Sequence, residues 1–105
     1  EIKGISNITG GGFYENIPRM FPEGITADID TANIEVLPIF KLLQKEGNID
    51  IDEMYGTFNM GIGMVLAVGK DIADDLLAYL KSVGENPVII GRTLKREGGL
   101  KICHR

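Results

Sequence analysis

The 105-residue chain is 44% hydrophobic and 25% charged, with a net charge of −4 and a single cysteine and histidine. Those values describe one globular domain with a modest core, and they argue against disorder. They exclude a broad basic surface for nucleic acid or anionic lipid, and also a disulfide framework or a Cys/His zinc site.

The chain opens on Glu1, and residues 2–5 already read as extended, so a piece of a longer polypeptide is expected. Thr9-Gly10-Gly11-Gly12 follows, and then Phe13, Ile17, Met20 and Phe21 form one apolar helical stripe. Pro18 would clash in a continued helix, which predicts a short or broken one, ended by Pro22 and Gly24. Ile25, Ala27 and Ile29 alternate with polar residues, as a half-buried strand does. Pro38 suits the first turn of a helix carrying Ile39, Phe40, Leu42 and Leu43, closed by Gly47.

Asp50 and Glu53 resemble a capping pair for a second helix through Met54, Tyr55 and Phe58. Residues 62–68 form the longest apolar run, far too short to cross a bilayer. Such a run predicts a strand buried on both faces. From Asp71 the clearest helix places Ile72, Ala73, Leu76, Leu77, Leu80 and Val83 on one side, and Gly84 stops it. Residues 88–94 and 100–103 read as a closing hairpin around Glu97-Gly98-Gly99. Cys103 and His104 stand at the end, where a frayed tail is expected and a catalytic role is not. The fold class is α+β: a three-layer α/β/α arrangement with a mixed sheet, one domain over residues 1–105.

Two segments carry the functional signal. In the first, a strand, three glycines and a helix start set unpaired N–H groups of Thr9, Gly10, Gly11 and Gly12 side by side, where an anion can approach closely. On a helix, Gly12, Asn16 and Arg19 share the face opposite the apolar stripe. Asn16 is then a candidate hydrogen-bonding group and Arg19 a candidate phosphate ligand. The competing reading is a tight turn with Glu15–Arg19 as an exposed ion pair, and the residues alone leave both open. The glycines are not a P-loop, since Gly-Lys-Ser/Thr is missing.

The second segment is Thr57-Phe58-Asn59-Met60-Gly61-Ile62-Gly63-Met64. It is no dinucleotide fingerprint, because it precedes a strand and lacks the third glycine. Asn59 and Gly61 stand at the mouth of that strand, where a ligand or another backbone often comes close; Met60 and Met64 read as core filler. The acidic residues Asp28, Asp30, Asp50, Asp52, Glu53, Asp71, Asp74 and Asp75 fall at caps or on solvated faces. No metal site is expected inside this chain.

Taken in order, these segments, with Pro38-Ile39-Phe40, Glu53-Met54-Tyr55 and Val83-Gly84-Glu85 ahead of Ile90-Gly91, resemble the C-terminal domain of the phosphoribosylformylglycinamidine cyclo-ligase family. The resemblance covers essentially the whole chain. It implies an enzyme that uses ATP to close the imidazole ring of aminoimidazole ribonucleotide from formylglycinamidine ribonucleotide, in purine biosynthesis. It also implies that ATP, Mg²⁺ and the main contact of a homodimer belong to an N-terminal half outside these residues, in a cytoplasmic enzyme. Asn7, Thr9, Gly10, Gly11, Gly12, Asn16, Arg19, Asn59 and Gly61 are then the expected substrate-binding residues, and no catalytic acid or base can be named. Many relatives carry His at the position of Asn7; an amide does not titrate, so Asn7 keeps only a hydrogen-bonding role. Relatives also have a strand and helix before the position of Ile2, which would leave a sheet edge unpaired here. The equivalent domains of formylglycinamidine ribonucleotide synthetase, selenophosphate synthetase and thiamine phosphate kinase are the neighbouring readings, and a stand-alone phosphate-binding module is the third.

Overall fold

The computed structural model describes all residues, Glu1–Arg105. Strand β1 (Ile2–Asn7) is halted by the glycines, which turn the chain into the short helix α1 (Gly12–Asn16). Pro18 has no N–H to continue an α-helix, and the next turn, Ile17–Met20, tightens to 3₁₀. Strand β2 (Ile25–Asp30), helices α2 (Pro38–Gly47) and α3 (Ile51–Tyr55), strand β3 (Met64–Val68) and helix α4 (Lys70–Ser82) follow. Strands β4 (Gly91–Lys95) and β5 (Lys101–Cys103) complete the chain. Asp50 does cap α3, but by accepting from the Asp52 N–H at 3.1 Å and not from Glu53. The helix ends at Tyr55, short of Phe58.

The α+β class holds, with the strands divided between two sheets. The mixed one is β4–β2–β5, in which β2 pairs antiparallel with β4 and parallel with β5. The expected hairpin of the last two strands does not form, because β2 lies between them. A turn signal at Glu97-Gly98-Gly99 marks a reversal of the chain without saying which strand it flanks. Crossing over β2 takes about 10 Å, two strand spacings, which residues 96–100 cover easily. The Arg96 guanidinium ties this crossing to β2 through Asp28 at 2.9 Å.

The second sheet is the antiparallel ribbon β1–β3. Its inner face contributes Ser6 and Val65, register partners that are both buried. Its outer face leaves Ile5 56% and Met64 58% exposed, so the run at residues 62–68 is not buried on both sides and Met64 is not core. A continuous apolar run records that both faces avoid polar residues; it does not say what covers the second face.

The core gathers where α1, α3 and the two sheets meet. Phe13, Ile17, Met54, Tyr55 and Met60 are its most enclosed side chains. The Phe13 and Tyr55 rings meet edge to face, 4.9 Å between centroids and 84° between planes. That contact holds α1, and the glycine loop before it, against α3. No helix is long and apolar enough to cross a membrane.

Candidate ligand-binding site

The glycine loop is organised from below by one side chain. Asn16 is 3% exposed, and its Nδ2 donates to the carbonyls of Thr9 (3.1 Å), Gly10 (3.3 Å) and Gly12 (2.8 Å). Its Oδ1 accepts from Thr9 Oγ1 at 3.3 Å and from Arg19 at 3.1 Å. In a trans peptide the N–H points opposite to the C=O. With the Thr9 and Gly10 carbonyls drawn to Asn16, the Gly10 and Gly11 N–H groups point away from it. Neither these two amides nor that of Thr9 has a backbone partner, whereas the Gly12 N–H donates to the Thr9 carbonyl at 3.0 Å. Thr9 and Gly10 are exposed and Gly11 is half-buried. The expected ligand contact of Asn16 is therefore not available: its amide is fully engaged within the loop, and sequence spacing alone could not distinguish a group facing a ligand from one facing its own backbone.

The glycines differ in what demands them. Gly11 and Gly12 adopt left-handed backbone, φ 94° and 59°, and a Cβ on Gly12 would strike the Tyr55 and Phe58 carbonyls. Gly10 has neither constraint, since a Cβ there would meet nothing within 4 Å.

Two open clefts flank the Thr9–Gly10 ridge. One, of about 350 Å³, is lined by Ile5, Ser6, Asn7, Thr9, Asn16, Arg19 and Met20. The other, of about 270 Å³, is lined by Ile8, Thr9, Gly10, Phe40, Thr57, Phe58 and Asn59. The structure thus brings Asn7, Thr9, Asn16 and Arg19 together on one side, and Thr9, Gly10 and Asn59 on the other. Gly11, Gly12 and Gly61 line neither. Gly61, φ 97°, and Met60, φ 56°, form the tight turn behind Asn59, and the Gly61 N–H donates to Asn59 Oδ1 at 2.9 Å. Ser6, Phe40, Thr57 and Phe58 were not expected; Ser6 donates to the Asn16 carbonyl at 2.8 Å and fixes β1 to the loop. The alternation of β1 could have pointed to Ser6, whereas Phe40 read as one more apolar helix position.

Arg19 is the one cationic side chain on the ridge clefts. It pairs with Glu15 at 2.6 Å, both side chains more than half exposed at 62% and 58%. An exposed i,i+4 pair of this kind is worth only about 0.3–0.5 kcal/mol. A dianionic ligand can therefore draw Arg19 away at small cost.

A polar cluster lies on the other side of α1. Asp52 Oδ1 accepts from the Tyr14 hydroxyl at 2.7 Å and sits 2.7 Å from His104 Nε2. Arg105 adds an ion pair to Asp30 at 3.3 Å, and its backbone N–H donates to Thr31 Oγ1 at 2.8 Å. The C-terminal residues are docked and not frayed as expected. Sequence could not show it, because the partners stand 52 and 74 positions away.

Burial pushes the Tyr14 hydroxyl up to about 12, with the hydrogen bond to Asp52 and its negative charge adding to the effect. The Asp52 carboxyl is lowered from 3.8, first by the hydrogen bond from His104 and then by that from Tyr14. The raised Tyr14 value contributes stability that is full below pH 10 and is lost as pH rises through 12. The lowered Asp52 value contributes stability present above 3.8 and lost as pH falls through its folded value. Residue-specific NMR titration should place Tyr14 ionisation near 12, and Asp52→Ala should bring it part of the way back toward 10; a midpoint unmoved by Asp52→Ala would contradict the contact.

Residues 1–102 match the family model described as "AIR synthase related protein, C-terminal domain". The chain belongs to this family. It is 50% identical over 103 residues to a phosphoribosylformylglycinamidine cyclo-ligase of Lachnospira eligens, covering 98% of this chain and 30% of that protein. Relatives of the same name from Caldicellulosiruptor saccharolyticus and Acetivibrio thermocellus are each 52% identical, over 95% and 98% of this chain and 29% and 30% of theirs. The chain therefore spans about 30% of the length of the curated relatives it matches. Family membership agrees with the α+β class.

Proposed function

We propose that residues 1–105 form the substrate-holding C-terminal domain of an ATP-dependent cyclo-ligase that converts formylglycinamidine ribonucleotide to aminoimidazole ribonucleotide in purine biosynthesis. In this reading the Gly10 and Gly11 N–H groups, pointing away from Asn16, receive the ribonucleotide phosphate. Arg19 releases Glu15 to neutralise it from the neighbouring cleft. Asn7 hydrogen-bonds from the same side, and Thr9 and Asn59 border the ligand along the ridge.

The observation that carries the proposal is Gly10. Its backbone conformation and its surroundings would both accept a side chain, so packing does not explain a glycine there. Close approach of a ligand does.

No three His, Cys, Asp or Glu side chains of this chain come together in a way that could hold a metal ion. By the family resemblance, ATP and Mg²⁺ are assigned to the remainder of the polypeptide, as are the chemical step and the contact of a cytoplasmic homodimer. What this domain contributes is positioning: a doubly charged sugar ester held by main-chain dipoles stays fixed while the ring closes.

Steady-state kinetics on the intact enzyme test this assignment. Arg19→Ala should raise the KM for formylglycinamidine ribonucleotide roughly 10- to 100-fold, the loss of one charge-assisted phosphate contact, while the KM for ATP changes little. An unchanged ribonucleotide KM, or equal rises in both, would overturn it.

A further inference from the structure

We infer that His104 is a positioning residue for the Gly10 and Gly11 amides, which it holds in place from across α3 through Asp52 and Tyr14. The inference rests on the phosphate assignment above and adds the remote contact that keeps the phosphate cradle in shape.

At five residues, α1 is too short to stand on its own hydrogen bonds. The glycine loop leads straight into it, so the direction of the loop amides depends on what fixes α1 from outside. Two consecutive α1 residues make that connection to α3: the Phe13 ring meets Tyr55, and the Tyr14 hydroxyl donates to Asp52 Oδ1. His104 touches both partners. Its imidazole lies 5.3 Å from the Tyr55 ring at 48°, and its Nε2 is 2.7 Å from Asp52 Oδ1, the same oxygen that accepts from Tyr14.

The imidazole is aimed by its neighbours. Thr31 Oγ1 donates to the Cys103 carbonyl at 3.3 Å and accepts from the Arg105 N–H at 2.8 Å, so the backbone on either side of His104 is pinned to one buried residue. His104 Nδ1 is buried without a partner. Nε2 therefore makes the only polar tie of the ring, and makes it as the N–H donor. Packing does not demand a donor there, since a phenyl ring would cover Tyr55 as well. Asp52 does gain from one: its side chain is otherwise mostly exposed, and a second donor on the same oxygen restrains the carboxylate that holds Tyr14. The raised Tyr14 hydroxyl stays protonated and the lowered Asp52 carboxyl stays ionised at neutral pH, so donor and acceptor keep their roles.

Two variants of the intact enzyme separate the roles of the ring. His104→Phe keeps the contact with Tyr55 and removes the donor, whereas His104→Gln places an amide N–H near the position of Nε2 and removes the ring. His104→Phe should displace the Gly10 and Gly11 amide NMR signals of the ligand-free enzyme. It should also raise the KM for formylglycinamidine ribonucleotide roughly three- to tenfold, the worth of one hydrogen bond, with kcat and the KM for ATP unchanged. His104→Gln should restore both readouts. Tyr14→Phe breaks the same tie from the other side, so it should repeat the effect, and the double variant should add nothing to it. This second route decides the matter if His104→Phe folds poorly. A loss in His104→Gln with none in His104→Phe would reduce the contact to ring packing and overturn the inference. An unmoved ribonucleotide KM in His104→Phe and Tyr14→Phe, beside a raised one in Arg19→Ala, would also overturn it while the phosphate assignment stood. Displaced amides in His104→Phe with no change of ribonucleotide KM in any of these three variants would uphold the tie to the loop and sink the phosphate assignment.

Discussion

Asn16→Ala is expected to lower the stability of this domain by about 2–4 kcal/mol, read as a shift in the denaturant midpoint at constant slope. Three carbonyls depend on Asn16 Nδ2. Those of Thr9 and Gly10 lie in exposed residues and can turn to water, but that of Gly12 is in a buried one. The cost thus concentrates on a cavity of side-chain size, on the hydrogen bonds lost from Nδ2, and on the lost ties to Thr9 and Arg19. Asn16→Asp should not rescue, because it aims a carboxylate at three acceptors. Both variants should also free the Thr9–Gly10 peptide planes and so weaken ribonucleotide binding. A midpoint unchanged in Asn16→Ala would show that the loop keeps its shape without this amide.

Gly12→Ala is the second large effect, with an expected loss of about 3 kcal/mol. A left-handed conformation costs an alanine about 1–2 kcal/mol. The new methyl must then displace the Tyr55 and Phe58 carbonyls, and overpacking of that kind costs about 1–3 kcal/mol. The first ends α3 and the second lies in the turn just after it, so the methyl forces α1 away from α3 and breaks the Phe13–Tyr55 contact. For a domain of this length the melting temperature should fall by about 12–24 °C. A fall of only a few degrees would mean that α1 and α3 yield easily.

These two positions show how far a sequence carries. The breaks at Pro18 and the glycines, helices α2 and α4, and strand β2 follow from local rules, and each appears within a few residues of its expected place. The site's ingredients were legible for the same reason: glycines before a helix, with Arg19 a turn further on. What local rules omit is direction. Asn16 and Arg19 share a helix face, yet Asn16 turns into the loop and Arg19 outward. Gly10, Gly11 and Gly12 look alike in sequence, yet packing demands only the last two. The hairpin of residues 88–94 and 100–103 failed because pairing across β2 is a long-range choice. Phe40, Phe58 and Asp52 with His104 come together only once the chain has folded.

Gly10→Ala tests the central claim most directly, because here stability and binding should part. A methyl at Gly10 meets nothing in the protein, so the melting temperature should stay within a degree or two while affinity for the ribonucleotide drops by at least tenfold. An affinity left intact by that methyl would contradict a phosphate held at the Gly10 and Gly11 amides.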